Sequence, residues 1–413
     1  MSIDALAGPD SLPSALLGAA GALPPAAPRD CGAGHHAVGR FEWRVGEPGD
    51  PAVLAEEFLA AHGLPVTELN QAADGTWPTG ICGAALHFSA AAGAVTVGGP
   101  VGKPSPAPVL PDVAVVLYAH TPARPAPQPA AAAQPWQLDG WAASWTPQAH
   151  ADAVSAVRQT IAAGDVYQVN LVGHAAARYC GDPLPALRRL AALPGARYGG
   201  VLTGRGWAIG CASPETLVQV SDGQVVTRPI KGTRPATAAG RAELLASVKE
   251  RAEHVMIVDL ERNDLARVAR TGSVRVDELY AVRRWCDLWQ AESTVSARLD
   301  DGLGLAALLR AVCPGGSVTG APKLAALGEV ARLEPVGRGA AMGALGWLGP
   351  AGLDLGLTIR TVAADGDRLH LWAGGGITWG SEPWAEVAEG AAKAAPLRAA
   401  VAASGGTADS LGS

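Results

Sequence analysis

Apolar residues recur at helical spacing in two long segments, and β-branched residues cluster between and after them. The first segment is Pro51–His62, and the second runs over Thr146–Ala163 and stops at Gly164. Because apolar residues three and four positions apart lie on one face of a helix, both segments are predicted to be amphipathic helices. A strand is predicted next, over Val166–Val172, and helix and strand patterns then alternate to about Ala403.

The N-terminal third has weaker patterning and ends in a break in composition. Short strands are predicted where β-branched residues concentrate, at Phe41–Val45, Ala94–Gly98 and Val113–Tyr118. The tract Thr121–Pro135 is so rich in Pro and Ala that neither a helix nor a sheet strand is expected there. We therefore expect a divergent N-terminal region over residues 1–135 that ends in this linker, a core over residues 146–403, and a disordered tail over residues 404–413.

Composition narrows the class of protein. Apolar residues make up 48% of the 413 residues and charged residues 17%, which excludes long disorder. The net charge is −6, and no basic cluster is interleaved with aromatic residues, so a nucleic acid is not an expected partner. No apolar run reaches about 18 residues, so no membrane span is expected. Asp4 and Asp10 stand where a secretory signal needs positive charge, and the six cysteines are scattered singly, which favours the reducing cytoplasm.

One pair of glutamates lies three residues apart in a predicted helix. These are Glu250 and Glu253, and the spacing puts both carboxylates on one side of the helix. The apolar face of this helix is predicted from five positions: Leu245, Val248, Ala252, Val255 and Met256.

A second pair has the same spacing in a later helix. Glu386 and Glu389 are followed by Lys393, and the helix is predicted to start at Ser381 as N-cap with Pro383 in its first turn. A single pair of this kind is more often a solvated helix face than a metal site. Two pairs on different helices can supply the hard oxygen ligands that Mg²⁺ prefers.

Three segments bounded by Gly or Pro are predicted to be turns that present polar groups. Lys231 lies between a strand end limited by Pro229 and a Gly turn. The Gly-rich segment Cys313–Lys323 ends in Gly-Ala-Pro-Lys, which excludes the phosphate loop of nucleotide-binding proteins. Gly374–Gly376 follows the predicted strand Leu369–Trp372. Both Gly-rich turns expose backbone N–H groups that can bind a carboxylate, although generic tight turns have the same composition.

Several segments together carry a family resemblance that none carries alone. They are Gly164–Leu171, Ser213–Glu215, Pro229–Thr233, Arg251–Leu265, Gly320–Lys323, Thr358–Thr361, and Gly374–Gly376 with the glutamates after it. Between Pro147 and Ala403 the chain resembles the chorismate-utilising enzymes, a family that includes anthranilate synthase component I, aminodeoxychorismate synthase component I, and the isochorismate and salicylate synthases. The resemblance implies an α+β fold in which two antiparallel β-sheets pack orthogonally, with helices outside and the active site between the sheets.

Within this resemblance, Lys231 and Gln168 indicate the reaction. A lysine in Pro-Ile-Lys-Gly-Thr is typical of the aminodeoxychorismate synthases, where it is a nucleophile, whereas the anthranilate synthases carry alanine there. Members that add water have a lysine where this chain has Gln168, so the resemblance implies ammonia. It also implies that Lys231 attacks chorismate C2 while Glu215 protonates the leaving C4 hydroxyl. We therefore expect a lowered pKa for Lys231 and a raised pKa for Glu215.

The resemblance further implies a Mg²⁺ cofactor and a set of substrate contacts. In the family pattern Mg²⁺ bridges Glu253 and Glu389 to the ring carboxylate, with Glu250 and Glu386 close by. The implied substrate-binding positions are Gln168, Thr233, Thr319, Arg360, Gly375, Gly376 and Lys393. Arg360 and the N–H groups near the two glycines are expected to hold the enolpyruvyl carboxylate through charge-assisted hydrogen bonds.

One position departs from the family pattern. Gln290 stands where the family usually has a histidine near the substrate ring, and an amide can hydrogen-bond but cannot protonate a group at neutral pH. Three alternatives to an aminodeoxychorismate synthase therefore stay open. They are an anthranilate synthase, an enzyme that forms isochorismate or salicylate, and a chorismate-binding homologue without catalytic activity.

The expected partners follow from the same resemblance. None of the six cysteines has the Gly-flanked elbow and partner histidine of a glutaminase, so ammonia is expected from a separate glutamine amidotransferase subunit or from solution. The product is expected to pass to an aminodeoxychorismate lyase, which would release pyruvate and give 4-aminobenzoate, the folate precursor.

Overall fold

Two antiparallel β-sheets form the centre of the protein. The computed structural model describes residues 34–70, 77–78, 80–121 and 135–403, and every strand pair in them is antiparallel. The strands are β1 (Gly34–Trp43), β2 (Gly83–Phe88), β3 (Val113–Thr121), β4 (Gln137–Leu138), β5 (Ala142–Ala143), β6 (Gln168–Cys180), β7 (Tyr198–Gly204), β8 (Trp207–Ser213), β9 (Thr216–Ser221), β10 (Gln224–Arg228), β11 (Ile230–Pro235), β12 (Arg275–Trp285), β13 (Leu288–Arg298), β14 (Gly320–Ala321), β15 (Ala344–Gly349), β16 (Gly352–Leu357), β17 (Thr361–Asp365) and β18 (Arg368–Ile377).

The strand order joins distant parts of the chain. A ten-stranded sheet runs β1-β3-β2-β15-β16-β9-β10-β13-β11, with β12 also paired to β13. An eight-stranded sheet runs β14-β6-β18-β17-β8-β7, with β4 and β5 also paired to β6. The expected α+β class with two antiparallel sheets is confirmed. Strands β1 to β3 precede the predicted linker, and β2 pairs with β15, so both sides of the linker contribute to one sheet.

Helices cover the sheets. They are α1 (Pro51–Ala61), α2 (Ala90–Thr96), α3 (Pro147–Ala163), α4 (Leu184–Ala191), α5 (Ala238–Ala246), α6 (Val248–Ala266), α7 (Leu305–Val312), α8 (Lys323–Leu333) and α9 (Pro383–Ala402), and a 3₁₀ turn spans Gly316–Val318. None of the helices within the described residues combines the length and the hydrophobicity needed to cross a bilayer.

Strand β8 shows why the sheets are buried on both faces. Successive side chains of a strand point to opposite faces. Trp207 and Ile209 enter the main core, which joins the two sheets, while Ala208 and Ala212 pack in a second cluster with apolar residues of α4 and α9. The whole strand is therefore buried. This explains the near-continuous apolar pattern of the central strands.

The two helices predicted from apolar periodicity are confirmed as α1 and α3. Thr146 is the N-cap of α3, where its hydroxyl accepts a hydrogen bond from Ala149 N, and Gly164 ends the helix. The predicted strand over Ala94–Gly98 is wrong, because α2 occupies most of it. Ser89 caps α2 by accepting a hydrogen bond from Ala92 N, and this cap and the alanines outweigh the few β-branched residues.

The predicted apolar face of α6 is also wrong. Val248 is 82% exposed and Val255 is 50% exposed. The face that packs inward instead carries polar residues, among them His254, Glu261 and Asp264. The same face also carries the buried apolar residues Ile257, Val258 and Leu265, so the buried side of α6 is mixed and is offset from the predicted apolar stripe.

Two local predictions near α9 need correction. The N-cap is Glu382, whose carboxylate accepts a hydrogen bond from Ala385 N, while the Ser381 hydroxyl accepts one from Thr378 N. Gly374–Gly376 is not a turn after a strand but part of β18, paired with β6. The predicted linker and tail over residues 122–134 and 404–413 lie outside the described residues.

Candidate active site

A cavity lies where β11, the end of β18, the 3₁₀ turn and helices α6 and α9 meet. Most of the predicted site residues line it: Glu215, Lys231, Thr233, Glu250, Glu253, Arg360, Gly375, Gly376, Glu386, Glu389 and Lys393. These residues come from segments far apart in the sequence, so the fold is what brings them together. The arrangement has two walls of different character, which we call the strand wall and the carboxylate wall.

The strand wall holds Glu215 and Lys231 against one turn. The Ser317 hydroxyl donates a hydrogen bond of 2.7 Å to Glu215 Oε1, and Lys231 Nζ donates one of 2.9 Å to the Ser317 carbonyl oxygen. Ile230 N donates a further bond of 3.2 Å to the same Glu215 oxygen. The acid and the amine are therefore fixed relative to each other through Ser317.

The environment shifts the pKa values of these two groups in opposite directions. Burial raises the pKa of Glu215, although the Ser317 hydrogen bond and the charge of Lys231 oppose the shift. Burial lowers the pKa of Lys231, with Glu215 and Glu253 opposing it. Both directions agree with expectation, and burial is the main cause in both cases. Burial therefore shifts both groups toward their neutral forms.

Gln168 lies behind Gly376 and does not line the cavity as the cavity stands. Its side chain is fully buried, and neither amide atom has a hydrogen-bond partner within the described part of the chain. A Cβ atom at Gly376 would come within 2.7 Å of Gln168 Nε2 and 3.1 Å of Lys231 Nζ. Only glycine therefore lets the amide and the lysine approach the same point, and the unpartnered amide is available to a small ligand there.

Arg360 provides a buried positive charge on the other side of the cavity. It is 6% exposed, its guanidinium lies 4.4 Å from the centre of the Trp285 ring, and Nη1 donates to the Lys393 carbonyl oxygen. Burial lowers its pKa to about 10. Among the described residues no carboxylate lies within ion-pair distance of Arg360, so its remaining donors can bind an anionic ligand. The backbone φ angle of Arg360 is 53°, a left-handed value that residues other than glycine rarely adopt. Such strained backbone is concentrated at functional sites.

The carboxylate wall begins on α9. A Cβ atom at Gly375 would meet Glu386 Oε2 at 3.2 Å and Glu389 Oε1 at 3.6 Å, so the two carboxylates converge next to β18. Lys393 Nζ lies 2.5 Å from Glu389 Oε1. Burial alone would raise the pKa of Glu389, but the charge and hydrogen bond of Lys393 lower it. Burial raises the pKa of Glu386.

The other half of the carboxylate wall lies on α6, and each glutamate there has a partner of its own. Glu250 pairs with Arg234 at 3.1 Å. Glu253 accepts a hydrogen bond of 2.8 Å from the Thr378 hydroxyl and lies 3.7 Å from Lys249. The two glutamate pairs, one on α6 and one on α9, thus line the same cavity.

The donor set of this wall fits a hard divalent cation. Within residues 34–70, 77–78, 80–121 and 135–403, no three His, Cys, Asp or Glu side chains are close enough to hold an ion as they stand. Four carboxylates nevertheless line the same cavity, and oxygen donors of this kind are those that Mg²⁺ prefers. Glu253 and Glu389 would hold the ion once Lys249 and Lys393 release them.

Thr319, like Gln168, does not line the main cavity. Its hydroxyl donates to the Gly315 carbonyl oxygen, and its side chain faces a neighbouring cavity lined by Arg338 and Leu327. Gln290 does face the main cavity, opposite Thr233 in the β11–β13 pair, and its buried Oε1 has no partner among the described residues. An amide acceptor therefore stands where the family usually has a histidine.

Sequence reasoning missed Ser317 and Asn170. Ser317 links the acid to the amine, and Asn170 lines the cavity while donating to the Val318 carbonyl oxygen. Asn170 lies inside the segment Gly164–Leu171, where a polar residue among apolar ones was the available signal, and Ser317 lies in the Gly-rich segment Cys313–Lys323. The sequence could not reveal their partners, because these are distant in the chain.

The family follows from a comparison with protein-family models. The model described as chorismate binding enzyme matches residues 87–399, which is most of the chain. The chain belongs to this family. The match begins before the predicted linker, at β2, which agrees with the shared sheet.

Curated proteins to which the chain is similar carry two different names. Aminodeoxychorismate synthase component 1 of Salmonella typhimurium is 41% identical over 263 residues, which cover 62% of this chain and 58% of that protein. The protein of that name from Bacillus subtilis is 37% identical, over 65% of this chain and 58% of that protein. Anthranilate synthase component 1 of Streptomyces coelicolor is 39% identical, over 68% of this chain and 57% of that protein. The chain thus spans less than two thirds of the length of these relatives.

Solved structures of the family share the fold. Anthranilate synthase component I of Streptococcus pneumoniae has a TM-score of 0.69 at 25% identity, covering 88% of this chain and 91% of that chain. MenF, the menaquinone-specific isochorismate synthase of Escherichia coli, has a TM-score of 0.61 at 16% identity, covering 92% of this chain and 96% of that chain. The second likeness concerns the fold alone.

Proposed function

We propose that the chain converts chorismate and ammonia to 4-amino-4-deoxychorismate. The observation that carries this proposal is the pairing of Lys231 and Glu215 through Ser317, with a lowered pKa for the amine and a raised pKa for the acid. A nucleophilic amine must be neutral and a general acid must be protonated, and burial shifts the pKa of each group in the direction that its role requires.

The first half of the reaction is an allylic substitution. The neutral amine of Lys231 attacks C2 of chorismate, both ring double bonds shift by one position toward C4, and the C4–O bond breaks. Glu215 gives its proton to the departing hydroxyl, which leaves as water. The bond that forms joins Lys231 Nζ to C2, and Glu215 is left as a carboxylate.

The second half is another substitution, in which ammonia is the nucleophile and Lys231 is the leaving group. Ammonia adds at C4, both double bonds return to their original positions, and the C2–N bond breaks with its electron pair going to Lys231 Nζ, which leaves as the neutral amine. The ammonium formed at C4 gives a proton to Glu215, which restores the acid. Gln168 has a buried amide with no partner among the described residues, and its Nε2 approaches the same point as Lys231 Nζ. Its Oε1, turned toward that point by rotation of the amide, would accept a hydrogen bond from the incoming ammonia.

The charged groups of chorismate match the two walls. Arg360 would bind the enolpyruvyl carboxylate with the donors that have no carboxylate partner within the described residues. Glu253 and Glu389, with Glu250 and Glu386 beside them, would hold Mg²⁺. When bound, this ion neutralises the ring carboxylate of the substrate, which these glutamates would otherwise repel. Lys393, released from Glu389, would remain as a positive charge in the same region.

A second candidate is anthranilate synthase, since the Streptomyces coelicolor relative of that name is almost as similar as the aminodeoxychorismate synthases. It would release 2-aminobenzoate from the same substrates. Lys231 argues against it, because the anthranilate synthases carry alanine at this position of the motif.

A product assay decides between the two. The purified chain is incubated with chorismate, Mg²⁺ and ammonium at mildly alkaline pH. The products are separated by chromatography and identified by mass spectrometry before and after an aminodeoxychorismate lyase is added. We expect a C4-amino product that the lyase converts to 4-aminobenzoate. Formation of 2-aminobenzoate without the lyase would support the second candidate, and isochorismate would contradict both.

We also propose that ammonia is supplied by a separate glutaminase subunit. The names of the relatives, which end in component 1, support an assembly of more than one subunit. Adding a separately expressed glutamine amidotransferase subunit should let glutamine replace ammonium in the assay. If the added subunit gives no product from glutamine, although ammonium does give product, this part of the proposal is wrong.

A further inference from the structure

The 3₁₀ turn that carries Ser317 is held from behind by a buried arginine. Arg338 is 7% exposed and does not line the cavity that holds Lys231. Its Nη1 donates a hydrogen bond of 2.6 Å to the Val318 carbonyl oxygen, and its Nη2 donates one of 2.7 Å to the Asn170 carbonyl oxygen. One guanidinium thus joins the turn to strand β6.

The orientation of this guanidinium is itself fixed. Glu334, which is 4% exposed, accepts a hydrogen bond of 3.0 Å from Arg338 Nε and one of 2.7 Å from Nη2. The same carboxylate also accepts a bond of 3.0 Å from Val172 N. Because both charges are buried and paired, the pair has little freedom to rotate, and breaking it would leave a buried charge uncompensated.

The turn transmits this constraint to the reacting groups. Val318 follows Ser317 directly, and the Ser317 hydroxyl and carbonyl hold Glu215 and Lys231. The Val318 carbonyl oxygen also accepts a bond of 3.1 Å from Asn170 Nδ2, so a fixed peptide stands between the arginine and the two functional side chains. A shift of the Val318 carbonyl would therefore move both groups together.

We propose that Arg338 is a positioning residue, which sets the geometry of Glu215 and Lys231 by holding the Val318 carbonyl. The role of the two groups in turnover rests on the proposed function, whereas the geometric part does not. Arginine suits this task because its planar fork can donate to two carbonyls and a carboxylate at once. Lysine at the same place could keep the charge pair with Glu334 but could not make the fork.

A double-mutant cycle with Arg338→Lys and Ser317→Ala tests the proposal. Each single variant is expected to lower kcat by about 10- to 100-fold with the chorismate KM within about threefold, because misplaced groups slow the chemical step more than binding. Ser317→Ala removes the hydroxyl through which Arg338 acts on Glu215 but keeps the carbonyl that holds Lys231, so the effect of the double variant should be clearly smaller than the product of the two single effects. Effects that multiply would overturn the proposal.

Tyr179→Phe is the matched control. Tyr179 donates a hydrogen bond of 2.6 Å to the Gly366 carbonyl oxygen, away from the cavity, so this change also removes one bond to a carbonyl. It should leave kcat unchanged. If Arg338→Lys does not fold, as judged by thermal unfolding, Glu334→Gln replaces it in the cycle with the same expectation.

A measurement without turnover separates this inference from the proposed function. Lys231 is acetylated with acetic anhydride, and its rate is compared by mass spectrometry with that of exposed Lys103. In Arg338→Lys the loss of the Ser317 hydrogen bond should raise the Lys231 rate by at least about threefold, and Tyr179→Phe should not change it. An unchanged rate in Arg338→Lys would refute the positioning role. A raised rate in a protein that never turns over chorismate would support it and contradict the proposed function.

Discussion

The strand wall and the carboxylate wall of the cavity are built on different principles. In the strand wall, Glu215 and Lys231 share one hydrogen-bonded residue, Ser317, which fixes them relative to each other. In the carboxylate wall, Glu253 and Glu389 are each balanced separately, by Lys249 and by Lys393. The groups of the strand wall are fixed before any ligand binds. In the carboxylate wall, a bound cation can replace the lysines as the partners of the glutamates.

This difference suggests a division of labour. Groups that transfer protons or form bonds must be held within a few tenths of an ångström, so a rigid strand and turn suit them. Groups that bind a cation need affinity but also room for exchange, and helix side chains with replaceable partners allow both. Mutations in the strand wall should therefore affect kcat, and mutations in the carboxylate wall should affect the dependence on Mg²⁺.

The largest effect is expected for Lys231→Ala. Removing the nucleophile should lower the rate of C4-amino product formation by at least about 10³-fold, with chorismate binding within about threefold. Rates come from the lyase-coupled assay and affinity from calorimetry. Lys249→Ala is the control, because it removes another lysine of the same cavity, whose side chain is 49% exposed, and should lower the rate by less than about tenfold. Equal losses in the two variants would contradict the role of Lys231.

Glu215→Gln should lower kcat by about 10²- to 10⁴-fold and remove the alkaline limb of the pH profile. Glu215 must be protonated to act, so in the unmodified protein activity falls as the pH rises through its raised pKa. A profile that keeps its alkaline limb in the variant would show that another group is the acid.

The same substitution should stabilise the fold at alkaline pH. The pKa of Glu215 in the folded state is above the usual 4.5 of the unfolded chain. At pH values between 4.5 and the folded-state pKa, the folded protein therefore binds more protons than the unfolded chain. The free energy of unfolding falls as the pH rises through this range. Glutamine removes that cost. Thermal unfolding should show a higher melting temperature for Glu215→Gln at pH 8 and no gain below pH 4.5, so an equal gain at both would contradict the assignment.

A smaller effect is expected on the carboxylate wall. Glu389→Gln should raise the Mg²⁺ concentration for half-maximal rate by at least about tenfold, while kcat at saturating Mg²⁺ falls less than in the strand-wall variants. The measurement is a Mg²⁺ titration of initial rates. Glu243→Gln, whose side chain is 66% exposed, should leave the titration unchanged. An unaltered Mg²⁺ dependence in Glu389→Gln would exclude this glutamate as a ligand.

The smallest effect is expected for Gln290→Leu. The Gln290 Oε1 atom faces the cavity without a described partner, so losing one hydrogen bond to substrate should lower kcat/KM by about two- to tenfold. Gln224→Leu on β10 serves as the control away from the cavity. A loss above about 100-fold would mean that Gln290 acts on the reacting atoms.

Local prediction succeeded where the signal was short-range. The start of α3 at Thr146 and its end at Gly164 could be predicted, because caps and helix breakers act within a turn. It failed for α2, where Ser89 and a run of alanines outweighed the β-branched residues, and for Gly374–Gly376, where pairing with β6 extends the strand. Strand pairing depends on a partner distant in the sequence, so composition alone does not predict it.

The orientation of α6 was the most informative error. Its apolar positions were expected to face the core, yet Val248 and Val255 face outward, while Glu250 and His254 lie on the inner side. A hydrophobic stripe normally marks the buried face because burial of apolar surface is favourable. In α6 the buried face mixes Ile257, Val258 and Leu265 with polar residues, and the first turns of the helix face a polar cavity, so the apolar stripe alone does not give the orientation.

The sequence by itself determined the chemical groups and the family motifs that contain them. Lys231, Glu215 and the two glutamate pairs could be named without coordinates, because motif spacing is a property of the chain. Only the tertiary structure decided that Ser317 connects the acid to the amine, that Gly376 lets Gln168 approach Lys231, and that Thr319 turns away. The physical reason is that hydrogen bonds and burial depend on contacts between segments tens to hundreds of residues apart, and these exist only once the two sheets have paired.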